Sequence, residues 1–112
     1  MVFSDDEIEE LGRVFPGVER YIEGGEEFFL LPAVQLPNGC SPQQTDLLLC
    51  PTPRDGYPSR LYFAEQIQAP VSLNWNGSYT IERPWYAFSL RIEESGLRLA
   101  QIAKAHLRAL GQ

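Results

Sequence analysis

Few side chains here are suited to covalent chemistry. The thiols are Cys40 and Cys50, and His106 is the single imidazole. A thiolate is the strongest of these nucleophiles near neutral pH. Cys50 ends the apolar run at 45–50 (TDLLLC) and reads as a core residue. Cys40 follows the turn Pro37-Asn38-Gly39 and reads as a loop residue. The two would bridge only if their Cα atoms came within roughly 7 Å. No CxxC pair accompanies them, and one histidine cannot build a metal site. Among the hydroxyls, Ser89 follows the aromatic cluster Trp85, Tyr86 and Phe88, rings able to wall a groove. A serine reacts only with help from a base or from a strongly activated donor.

The elements that would position these groups follow from composition and pattern. A chain of 112 residues, 44% hydrophobic, suits one domain spanning 1–112 with its own core. Nine prolines and nine glycines imply many turns, against a helical bundle. The net charge of -6 leaves no basic stripe for nucleic acid and disfavours anionic membrane surfaces. Basic protein partners suit it better. The start MVFSDDEIEE is acidic where a secretory leader would be basic, and no apolar run nears the ~18 residues of a membrane span. The expectation is a reduced, cytoplasmic protein.

Ser4 and Glu7 form an S-x-x-E capping box, and Ile8, Leu11 and Phe15 recur at helical spacing until Pro16-Gly17. A hairpin follows, with strands at 18–23 and 26–36 about the turn Gly24-Gly25. Phe28 and Leu30 should face one side, Phe29 and Leu31 the other, and Pro32 marks a bulge or an edge. Strands at 45–50 and 60–64 flank a rigid loop, PTPRDGYP. Residues 68–92 are aromatic-rich with little regular period and read as long ordered loops, with one short strand at 79–81. Trp75 with Asn76-Gly77 reads as a tight turn. Leu99, Ile102, Ala103, Leu107 and Leu110 stripe a last helix, with Ser95 as its expected N-cap and Gly111 as its stop. The predicted class is α+β: N-terminal helix, four-stranded antiparallel meander, irregular segment, C-terminal helix.

The run LPNGCSPQQTDLLLCPTPRDGYPSRLYF resembles the core pattern of the bacterial ubiquitin-conjugating-enzyme-like (E2) family often called family E, LPxGYNPxxTDLLLxxPxGYPxxxPDMFY. Leu36, Pro37, Gly39, Pro42, Thr45, Asp46, Leu47, Leu48, Leu49, Gly56, Tyr57, Pro58, Tyr62 and Phe63 stand in matching order. The opening FPGVE, the Gly-Gly hairpin and the segment PWYAFSL ahead of the final helix are similar too. Tyr57-Pro58 reads as a turn whose ring caps the core, and Asp46 as a residue that bonds loop backbone and holds register. Three departures stand out. Cys40 and Ser41 replace the family's Tyr-Asn, Arg60-Leu61 replaces its Pro-Asp, and the eukaryotic His-Pro-Asn motif is absent. Residues 68–83 match poorly.

The resemblance implies a UBC-like (E2) fold. It also implies a carrier that takes a ubiquitin-like protein's C-terminus from an E1-like activating enzyme and passes it to an acceptor. The family's nucleophile lies shortly before the last helix. Residues 80–95 hold no cysteine, and Ser89 falls at that place, so the expectation is an oxyester on Ser89 in place of the usual thioester, the alternative being a serine that only caps or packs. Trp85, Tyr86 and His106 are the expected supporting residues, with Tyr79 and Tyr86 as candidate donors to an oxyanion. Arg91, Glu93 and Glu94 read as solvated charges, a carboxylate among them being able to orient an incoming amine. The exposed acidic side of the first helix, Asp5, Asp6 and Glu9, is the expected E1-docking surface and asks for a basic counterpart. No cofactor is implied. The alternatives are an inactive E2-variant scaffold that binds the ubiquitin-like protein or the E1, and an α+β adaptor unrelated to conjugation.

Overall fold

The Ser4 hydroxyl accepts the Glu7 amide at 3.3 Å and starts α1 (Asp5–Val14). Glu7 does not close the capping box. Its carboxylate instead accepts the Leu99 amide, at the start of α2 (Leu99–Arg108). Arg98 bonds Glu10 at 2.8 Å beside that contact, so the two helices are tied at their N-terminal ends. These are features of a computed structural model that describes residues 3–111. Ser95 is not the cap of α2. The helix opens after Arg98, whose amide is satisfied by the Gln101 side chain at 2.8 Å.

Among the described residues the fold is a compact α+β domain of two helices and one six-stranded antiparallel sheet. The strands are β1 (Glu19–Glu23), β2 (Glu26–Gln35), β3 (Gln44–Cys50), β4 (Arg60–Phe63), β5 (Trp75–Ile81) and β6 (Arg83–Phe88), in spatial order β1-β2-β3-β4-β6-β5. The sheet therefore does not stop at four strands. The segment expected to be irregular is largely a second hairpin, whose strand β6 pairs with β4 and whose strand β5 forms an edge.

Pro32 does produce a bulge. The β2–β3 register shifts between Leu31 and Val34, and Ala33 takes a positive φ of 52°. Asp46 stabilises it: one carboxylate oxygen accepts the Ala33 amide at 2.8 Å, and Gln44 donates to the Ala33 carbonyl at 3.1 Å.

Both faces of the sheet are buried. Phe29, Leu31, Leu47, Leu49, Leu61 and Phe63 meet the helices through Leu11, Phe15, Leu99 and Ala103. Alternate positions, Phe28, Leu48 and Tyr62, join Ile81, Trp85 and Ala87 in a second core. That core exists because the sheet curls. Four strand steps on a flat sheet span roughly 19 Å. Yet Phe28 of β2 stacks on Tyr79 of β5 with centroids 5.3 Å apart and planes 12° apart. Arg54, from the loop before β4, lies over the Tyr79 ring at 4.2 Å and ion-pairs with Glu26 at 2.9 Å. At the hairpin tip Arg83 reaches Asp46 at 3.5 Å. No helix among the described residues is long and apolar enough to cross a membrane.

Candidate functional site

Ser89 is the first residue beyond β6 and is exposed. Its amide donates to the Asn74 carbonyl at 2.8 Å, which locks it to the start of β5. It does not lie shortly before α2, which begins only at Leu99. Its hydroxyl lies 2.8 Å from the Tyr57 phenol oxygen.

Tyr57 is therefore not a cap on the core. It is half-buried at the surface, and its oxygen also accepts the Asn76 side-chain amide at 3.0 Å. Asn76 in turn accepts a hydrogen bond from Arg60. The Arg60 guanidinium lies 4.3 Å from the Tyr57 ring centroid and that of Arg91 lies 5.2 Å from it. Hydrogen bonds from Ser89 and Asn76, with the positive charges of Arg60 and Arg91, hold the phenol below its ordinary value. Each stabilises the phenolate more than the neutral ring.

Arg60 organises this corner. Although charged, it is only 3% exposed. A buried cation is tolerable only when its donors are used. Here they reach Asp55 at 3.3 Å, the Phe88 carbonyl at 3.1 Å and Asn76. Gly77 makes room for it, since a Cβ there would stand 2.8 Å from the guanidinium. The β5–β6 register shifts between Trp75 and Gly77, so the bulge at Asn76 turns that side chain toward Tyr57. Arg91 donates to the Gly56 carbonyl at 2.6 Å and pairs with Glu93 at 3.5 Å.

The structure does not gather every residue expected at the site. His106 is buried, with Nε2 2.9 Å from the Ser59 hydroxyl, and serves that bond rather than Ser89. Burial, with the Arg60 charge, lowers its pKa to about 4. Trp85 is in the second core, its indole donating to the Ile81 carbonyl at 3.1 Å. Tyr79 is there too, stacked on Phe28. Tyr86 borders the site without bonding Ser89: it lines a shallow cleft with Gln66, Trp75, Asn76 and Ser78. Glu94 faces Arg108 at 3.9 Å. Cys40 and Cys50 are free and buried, and burial raises both thiols. Asp5, Asp6 and Glu9 are exposed on the outer side of α1.

Tyr57, Asn76, Arg60 and Arg91 are the site residues that sequence reasoning passed over. A glycine inside a run of alternating polarity signals a bulge or a close backbone approach. Gly77 answers to both descriptions. Compared with protein-family models, with curated proteins and with solved structures, the chain returned no match.

Proposed function

We propose that this domain is an E2-like carrier in a bacterial ubiquitin-like protein conjugation pathway, loaded as an ester on Ser89 by an E1-like activating enzyme. The observation that supports the reading is the exposed Ser89 hydroxyl, bonded to Tyr57 at 2.8 Å, in the segment between the last strand and the closing helix. The arrangement of elements supports a UBC-like fold: a helix, four strands adjacent in chain order, and a closing helix across the sheet. The β5–β6 hairpin is then an addition that builds one wall of the site. Loading is an acyl transfer. The Ser89 oxygen attacks the donor's thioester carbonyl, the C–S bond breaks, and the hydroxyl proton ends on the departing thiol.

The acidic outer side of α1, Asp5, Asp6 and Glu9, serves as the docking surface for a basic patch on the E1. Two free cysteines accord with a reducing, cytoplasmic setting. The test is reconstitution with an E1-like enzyme and a ubiquitin-like protein, plus ATP. The expected result is a covalent adduct that hydroxylamine cleaves and Ser89→Ala abolishes. An adduct that survives Ser89→Ala would overturn the reading. Binding without any adduct would identify an inactive E2-variant scaffold.

A further inference from the structure

The geometry points to Tyr57 as the catalytic base of Ser89, making the pair an acyl-accepting centre for thioesters and aryl esters generally. This rests on Ser89 being the acylated residue. Within the described hydrogen bonds, the Ser89 hydroxyl meets one side chain able to take its proton, the Tyr57 phenol at 2.8 Å. The other base at hand in the sequence, His106, is turned inward to Ser59 and is 2% exposed.

The surroundings fit the role. Asn76 donates to the phenol oxygen at 3.0 Å, so the oxygen keeps its acceptor capacity directed at Ser89. The charged groups facing Tyr57 are Arg60 from β4 and Arg91 from the segment after β6, offset in part by Asp55 at 3.3 Å from Arg60 and Glu93 at 3.5 Å from Arg91. Both cations favour the phenolate, in line with the lowered phenol. A base works best when its pKa approaches the working pH.

The step balances without a further reactant. The phenolate oxygen takes the Ser89 proton as Oγ bonds to the donor carbonyl carbon. The C–S bond, or the aryl C–O bond, then breaks. Tyr57 returns the proton to the leaving thiolate or phenolate and ends as it began.

The test uses two small probes, S-phenyl thioacetate and p-nitrophenyl acetate, with the acetyl group located by peptide mass mapping. The expected result in the wild-type protein is acetyl on Ser89, at a rate whose pH midpoint follows Tyr57 ionisation read from phenolate absorbance. Tyr57→Phe keeps the ring between the guanidiniums and should slow acetylation about 10²-fold at neutral pH and remove that midpoint. Asn76→Ala and Arg91→Gln keep the base but should shift the midpoint upward. A Tyr57→Phe protein with wild-type rate and profile overturns the role of Tyr57 while leaving Ser89 as a carrier. Acetyl found on Tyr57 instead of Ser89 overturns it as well. Wild-type Ser89 inert to both probes overturns the general acyl-accepting centre. Loading of Ser89 by the E1 in that case would keep the carrier reading separate.

Discussion

Arg60 stands where the chain differs from the Pro-Asp of the sequence pattern it resembles, and it supplies the buried cation of the site. Its charge touches two titrations. It helps lower the Tyr57 phenol, and with burial it keeps His106 neutral, at about 4. The second effect predicts how stability depends on pH. An unfolded histidine takes its proton near 6.5, whereas the folded one resists until about 4. As pH falls through that window the unfolded chain binds more protons, so stability is full above 6.5, declines toward about 4 and then levels off. The loss between about pH 7.5 and 5 should be roughly 2 kcal/mol. Urea unfolding of the wild type and His106→Gln across that range checks it. The variant should lose this slope, and an unchanged slope would refute the assignment. Of the residues that meet at this corner, Ser89 was singled out in the sequence through the resemblance and the rings ahead of it. Tyr57 was not, because a tyrosine before a proline looks the same in sequence whether its ring caps a core or faces a serine. Only the fold brings positions 57, 76 and 89 together.

Elements divide the same way. The first hairpin and strands β3 and β4 were legible because alternation and Gly24-Gly25 act locally. The second hairpin was obscured by its own punctuation. Asn76-Gly77 imitates a turn and Pro84 imitates a break, although Asn76, Ser78 and Thr80 face outward at period two in β5. A bulge hides the strand it belongs to. The bulge in β2 was easier, since Pro32 announces it, and there the anchoring residue can be tested directly. Asp46 accepts the Ala33 amide at 2.8 Å and pairs with Arg83 at 3.5 Å. Asp46→Ala hands to solvent the amide of Ala33, itself in a positive-φ conformation. The expected loss is about 1–2 kcal/mol in urea unfolding, with Asp46→Asn retaining most of the stability. A change within about 0.5 kcal/mol would mean that Gln44 and the ladder hold the bulge unaided.

At the scale of the whole molecule, the curl of the sheet links fold to site. The hairpin that carries Asn76 and ends at Ser89 is held down over the second core, and Arg54 is the strap. It donates to Tyr62 at 3.0 Å and to Glu26 at 2.9 Å and covers the Tyr79 ring, so it joins β2, β4 and β5. Sequence reading took 51–58 as a rigid loop and gave Arg54 no part, because nothing local indicates that β5 returns to meet β2. Arg54→Ala removes the cation over the rings and leaves the Tyr62 hydroxyl without its donor. The hairpin should then loosen as a unit, with faster amide hydrogen exchange across β5 and β6 and a global loss of about 1–3 kcal/mol. Because Asn76 rides on β5, its bond to Tyr57 weakens in the same event, and the phenol should titrate higher than in the wild type although position 54 makes no contact with Tyr57's oxygen. Unchanged exchange in β5 and β6 would show that stacking of Phe28 on Tyr79 closes the second core without the strap, and the predicted shift in Tyr57 would then vanish with it.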